Sequence, residues 1–305
     1  MTGTEPNYMG TIPGGSPGDT VAYYVVATDK NNYYSLSHTY SYRIFRKESS
    51  YLAIDNSRNT IQQSRHGSLP HLFTNRINKK SDFDIWRIAI DDTTGIADLL
   101  KLYNVVIEFC YDGGRKDIMK RVGQWLLTAT PTNRKLYFLS DQDRSFLFGR
   151  FDTLRLSDEF PKYLGVITMN PEDYPYRING SATVLKPWQL WIDSSAKNDP
   201  IVGFIQKHQD TAGVTLWYDP YFELGSQNWM DNIVPTNDAK ILFRDSTYNK
   251  IVGVRKSAPD SSWHTVYLNF DYAGTNFRSD TSSLKYSSPE KDPKYRWLLP
   301  IENPI

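Results

Sequence analysis

A chain of 305 residues with a single cysteine, Cys110, has no partner for an internal disulfide and too few thiolates for a zinc site of its own. An excess of charge of one sign is also lacking. The 35 Lys and Arg residues stand against 34 Asp and Glu, a net charge of +1, and both signs are spread along the chain. Neither nucleic acid nor an anionic membrane is therefore the expected partner. No run approaches the roughly 18 apolar residues that span a bilayer, and the first residues lack the basic flank and apolar core of a signal peptide, so the chain reads as soluble. G-x-G-x-x-G and G-K-S/T patterns are missing, which argues against a nucleotide-phosphate site. There is no internal repeat and no low-complexity tract. What the chain does have is 39% hydrophobic and 14% aromatic content, enough for one large domain plus a fragment, or for two modest domains.

Two textures divide it. Residues 1–46 read as β: VAYYVVATD (21–29) and HTYSYRIF (38–45) are rich in Tyr, Val and Thr and are separated by the polar stretch KNNYYSLS, the pattern of a hairpin. From residue 50 the rhythm becomes strand, helix, strand, with apolar strand cores at 51–55, 85–90, 104–110 and 135–140. ADLLKLY is a short helical candidate. DIMKRVGQWLL is a longer one and puts Ile118, Val122, Trp125 and Leu126 on one face. Such alternation predicts a parallel, doubly wound α/β sheet, with the flavodoxin-like order 2-1-3-4 for the four strands. After about residue 165 the pattern is irregular and β-rich. Strand candidates at 201–206, 213–218, 240–244, 250–255 and 264–270 would extend the sheet antiparallel or cap it, and the cap would carry Trp188, Trp191, Trp217, Tyr218, Trp229 and Trp263.

Acidic residues fall where the parallel strands end: YLAIDN at Asp55, NVVIEFCYD at Asp112, KLYFLSDQD at Asp141 and Asp143. Ligands of open α/β sheets bind at the carboxyl ends of the strands, so these residues are expected to share one crevice. Three readings stand side by side. Helix-capping or solvated aspartates are the plain one. A metal site at Asp55, Asp112 and Asp143, with Asn56 and Asp141 nearby, is the second; its all-oxygen ligands suit Ca²⁺, or alternatively Mg²⁺, and do not match an EF-hand loop. The third is nucleophilic or general-base catalysis by Ser140 or Asp141 beside the N–H groups that open the next helix. Tyr111, Gly113 and Gln142 flank these positions as substrate contacts, and the Gly113-Gly114 turn is able to present N–H groups to an anion. Cys110 reads as a small buried hydrophobe, and His66, His71 and His208 as loop residues. The aromatics of DYPYR, KPWQLW and LWYDPYF either line a glycan- or acyl-binding cleft or fill a core.

Two resemblances add to this. MGTIPGGSPGDT with VAYYVVATDKNN resembles the last strands of fibronectin type III or immunoglobulin-like modules, which implies a partial β-sandwich within a longer, multidomain extracellular or cell-surface parent. YLAIDN, FDIWRIAI, YNVVIEFCYDGG, VGQWLLTATPTNRKLYFLSDQD and FPKYLGV, over roughly 50–170, and again WHTVYLNFDYAG, resemble the class I glutamine amidotransferase-like superfamily, in a variant found in secreted multidomain bacterial proteins. The implied fold is the flavodoxin-like sheet, extended over 50–305 with its β-rich part from about 166. Catalytic members carry a cysteine on a strand-to-helix elbow; the matching stretch here is FLSDQDRSF, with Ser140 or Asp141 at the elbow, and the family's His-Pro-Glu is missing. Glutamine hydrolysis by a thiolate is therefore not expected. The third matching block includes His264, which makes it the candidate base for Ser140. Two functions follow as expectations: a secreted hydrolase of small esters or lactones, or a non-catalytic structural or carbohydrate-binding module.

Overall fold

A computed structural model describes residues 2–4, 7–12, 14–56, 83–87, 95–110, 116–141, 160–170, 188–202, 215–218, 231–246, 249–270 and 275–278. The chain divides into two compact units, Met1–Glu48 and Ser49–Ile305.

The first unit is built of short antiparallel pairs. β1 (Thr2–Thr4) pairs with β2 (Asn7–Met9), β3 (Thr20–Tyr23) with β6 (Tyr40–Arg43), and β4 (Val26–Thr28) with β5 (Tyr34–Leu36). The turn between β4 and β5 is tighter than the polar stretch suggests. Oδ1 of Asp29 accepts from the N–H groups of Asn31 and Tyr33 at 2.8 and 2.9 Å, and Asn32 takes a φ of 66°, so the chain reverses by Tyr33 and Tyr34–Leu36 is strand.

In the second unit β7 (Tyr51–Asp55), β8 (Phe83–Arg87), β9 (Val105–Cys110) and β10 (Lys135–Asp141) are parallel and lie in the order β8-β7-β9-β10, the 2-1-3-4 arrangement expected from the sequence. All six residues of β9 are buried, as a central parallel strand covered on both faces requires. Of the helices α1 (Ile96–Leu100), α2 (Lys116–Leu126) and α3 (Phe160–Tyr163), α2 buries Ile118, Val122, Trp125 and Leu126, the face its spacing predicted. Trp125 is tied down from both sides: its Nε1 donates to the Tyr103 carbonyl at 3.1 Å, and Lys135 Nζ donates to the Trp125 carbonyl at 2.7 Å.

Beyond β10 the sheet continues through β17 (Trp263–Leu268), β16 (Ile251–Ser257), β15 (Lys240–Asp245), β12 (Trp188–Ile192), β13 (Thr215–Tyr218) and β18 (Thr275–Arg278), ten strands among the described residues. β17 is parallel to β10, while every pairing from β17 outward is antiparallel. The order of direction follows from one tight turn. Ala258 N–H donates to the Trp263 carbonyl at 2.9 Å and Ser261 adopts a φ of 57°, which folds β16 back onto β17 and delivers β17 alongside β10 in its own direction. β11 (Val166–Asn170) and β14 (Asn232–Pro235) form a separate antiparallel pair. The strand expected at 201–206 does not begin there: Ile201 and Val202 are buried in a turn fixed by Asp199 Oδ1, which accepts from Ile201 N–H at 2.9 Å.

Gly253 marks where the antiparallel extension meets β17. A Cβ at this position would stand 2.8 Å from Phe243 Cδ2 and 2.9 Å from Leu268 Cδ2, inside the contact distance of two buried side chains. Gly253→Ala should therefore lower stability by about 1–3 kcal/mol through overpacking, read as a fall in urea midpoint; an unchanged midpoint would mean that Phe243 and Leu268 have room to move.

Candidate functional site at the carboxyl ends of the parallel strands

Strand register decides which side chains meet at this edge. Asp55 pairs with Phe109, Phe109 with Ser140, and Ser140 with Leu268. Side chains alternate faces along a strand, so Asp55 and Ser140 belong to one face of the sheet. Asn56, Glu108 and Cys110 belong to the other, together with the positions of Asp141, which pairs with Cys110, and of Asn269, which follows Leu268. Asp55 and Asp141 end β7 and β10 of the same sheet, with β9 between them. Tyr111, Asp112, Gly113, Gln142 and Asp143 lie outside the described residues, as do His66, His71, His208 and Trp229; for Asp141 the described part is its place in β10.

The polar centre of this edge is Glu108, which no strand-end argument had singled out. It is fully buried within the apolar run VVIEFC. Asn56 Nδ2 donates to Glu108 Oε1 at 2.7 Å and the Tyr137 hydroxyl donates to Oε2 at 2.8 Å. Burial outweighs these two donors and pushes the Glu108 pKa up to about 7. A carboxyl with that value exchanges its proton near neutral pH, the property required of a general acid or base. The sequence signal for it was available, a lone acidic residue among the five apolar residues of VVIEFC, since such a residue is buried only with partners.

Ser140 is buried, and its Oγ donates to the Phe270 carbonyl at 2.7 Å. The same bond brings the chain after β17 back across the end of β10. Asn269, also buried, donates from Nδ2 to the Asp231 carbonyl at 2.5 Å, and its Oδ1 has no hydrogen-bond partner. Cys110 is buried, with Sγ 3.9 Å from the Asn56 carbonyl, in the setting of a small hydrophobe.

His264 is not brought to Ser140. It sits near the amino end of β17, paired with Leu136, whereas Ser140 pairs with Leu268. Four residues of strand put them roughly 13 Å apart along the sheet. His264 shares a 2.7 Å hydrogen bond through Nδ1 with Ser257 instead. Burial, and then the guanidinium charges of Arg255 and Arg134, hold its pKa below the usual value, so this pair resists forming the imidazolium that a general base must become. The role expected of His264 is corrected accordingly. Among the described residues, no three His, Cys, Asp or Glu side chains stand together as a metal-ligand group.

The aromatic residues of the extension divide. Trp263 is buried and packs edge-on against Tyr163, with ring centroids 5.8 Å apart, while Trp191 is 49% exposed. Trp191 pairs with Arg244, whose Nε lies 2.6 Å from Asp193 Oδ2.

No protein-family model and no curated protein matches the chain. Among solved structures it is similar to a ThuA-like protein of Bacteroides uniformis ATCC 8492, at 12% identity and a TM-score of 0.41, over 79% of this chain and 88% of that one. It is also similar to a ThuA-like protein of Parabacteroides merdae ATCC 43184, at 10% identity and a TM-score of 0.40, over 73% and 79% of the two chains. The α/β assignment rests on the strand order described above.

The raised pKa of Glu108 has a thermodynamic signature. Its folded value of about 7 lies above the unfolded one near 4.5, so the folded state binds the extra proton between these values. Stability associated with the neutral form is present below about pH 4.5 and is lost as the pH rises through about 7, a swing of about 3 kcal/mol. Glu108→Gln should flatten the stability profile across that window in urea titrations; an identical slope in both proteins would place the titrating group elsewhere.

Proposed function

We propose that the second unit is a hydrolase of small esters or lactones, working at the carboxyl ends of β7, β9, β10 and β17 with water as the attacking group. The observation that carries the reading is Glu108: a buried carboxyl poised near neutral pH and oriented by Asn56 and Tyr137, at the edge of the sheet where α/β folds bind ligands. In this reading Glu108 takes a proton from the water that attacks the acyl carbon and returns it to the leaving alkoxide. It lies two residues before the end of β9, roughly 7 Å along the strand, so in this reading the water reaches it from the strand ends. Ser140 is assigned a positioning part, because its hydroxyl proton is engaged by the Phe270 carbonyl. A Ca²⁺ or Mg²⁺ ion, if held through oxygens of Asp55, Asp112 and Asp143 with Asp141 nearby, would polarise the carbonyl under attack.

A second reading, a non-catalytic carbohydrate-binding module, is favoured by one observation: Trp191 is half exposed beside Arg244, whose guanidinium is fixed by Asp193. An aromatic face next to an oriented polar group suits a sugar ring. On either reading we take the chain to belong to a longer extracellular or cell-surface protein, its first unit being part of a fibronectin- or immunoglobulin-like sandwich.

A chromogenic ester and lactone panel, run with EDTA and with added Ca²⁺ or Mg²⁺, separates the two. The hydrolase reading expects turnover that falls about 100-fold or more in Glu108→Gln, with loss of the limb of the pH profile near neutrality. Wild-type turnover with an unchanged profile in that variant would remove Glu108 from the chemistry. No turnover, together with glycan-dependent rises in Tm that Trp191→Ala abolishes, would favour the binding module.

A further inference from the structure

Asn269 follows the last residue of β17, where the chain leaves the carboxyl edge of the sheet, and it is held at two points. Its backbone N–H donates to the Val252 carbonyl at 2.8 Å and its Nδ2 to the Asp231 carbonyl at 2.5 Å. Asp231 stands just before β14, which is tied to β16 in turn: Asn232 Oδ1 accepts from Ile251 N–H at 3.0 Å. A carbonyl oxygen has no proton to give, so only the nitrogen of the Asn269 amide can face Asp231, and Oδ1 is turned away from it. The residue is fully buried, and that oxygen has no hydrogen-bond partner. Buried amide oxygens are nearly always paired, because removing one from water without a replacement is costly. Register places this exception on the Glu108 side of the sheet. Glu108 and Tyr267 both pair with Leu139, and Asn269 lies two residues beyond Tyr267 towards the strand ends, so the three share a face. Two strand spacings and two residues of rise separate Glu108 from Asn269, roughly 10 Å across the sheet and 7 Å along it. Two side chains and a small ring bridge that distance.

We infer that Asn269 is a substrate-binding residue whose Oδ1 accepts a hydrogen bond from a hydroxyl or amide N–H of the substrate. The site then takes esters and lactones that carry such a donor beside the acyl carbon in preference to those that do not. For the bond that is cleaved the inference rests on the hydrolase reading; the acceptor stands without it. A substrate lacking the donor leaves Oδ1 buried and unpaired, and a polar group left in that state discriminates between ligands more sharply than a mismatch of shape. Because Val252 and Asp231 already fix the residue, little conformational freedom is lost when the donor arrives.

Three lactones test this on the full chain: γ-butyrolactone, which has no donor, and its α-hydroxy and α-acetamido derivatives. Their kcat/KM values are compared in the wild-type protein, and their affinities in Glu108→Gln, where the rise in Tm reads binding apart from turnover. The expected result is a preference of at least about tenfold for a donor-bearing lactone in both measurements, lost when Asn269→Leu is added. A melting transition checks that Asn269→Leu folds, and if it does not, the wild-type comparison still decides. Turnover of all three at equal kcat/KM, or a preference that survives Asn269→Leu, would overturn the inference and leave the hydrolase reading in place. A donor preference in Tm that depends on Asn269, with no turnover of any lactone, would keep the acceptor and remove the hydrolase. Neither turnover nor a difference in Tm would remove both.

Discussion

Parallel pairing of β10 between β9 and β17 is the constraint on which the second unit depends. Those two ladders fix the row Phe109, Ser140, Leu268 and, through β7, Asp55. A shift of one residue in any of them would exchange the faces of every side chain on that strand. Glu108 would then leave Asn56 and Tyr137, and a full charge would be buried without donors, at a cost of several kcal/mol. Register and polar network thus hold each other in place.

The candidate site is a consequence of that register. Asn56 follows the last residue of β7, Glu108 lies near the end of β9, and Tyr137 projects from β10, three segments far apart in the chain. Desolvation raises the Glu108 pKa while the two donors lower it, and desolvation is the larger. The desolvation that raises the Glu108 pKa makes the carboxyl a burden on stability once it ionises. At the opposite edge the balance has the other outcome. The pKa of His264 is lowered by burial and by nearby arginines, and the buried Asp199 Oδ2 lies 3.3 and 3.0 Å from Lys240 and Arg255 in ion pairs, an arrangement suited to packing and not to proton transfer.

The two units handle apolar surface differently. In the second, α2 buries a complete face of Ile118, Val122, Trp125 and Leu126, and β9 is covered on both sides. In the first, apolar residues with the correct alternation are exposed, and none of the described residues from 10 to 48 is buried. A sheet needs a second layer before its pattern becomes stability.

What the amino-acid sequence determined by itself is the local alphabet: the apolar runs of the four parallel strands, the helical spacing of Ile118 and Val122, and the placement of Asp55 and Asp141 at strand ends. These are readable because they depend on periods of 2.0 and 3.6 within a few residues. Tertiary structure alone decided that Asp55 faces away from Glu108, that β17 runs parallel to β10, that His264 meets Ser257 and not Ser140, and that Glu108 is buried with Asn56 and Tyr137 as its donors. Each of these is a relation between strands remote in sequence, set by register and by the desolvation that follows from it, and no local pattern encodes either quantity.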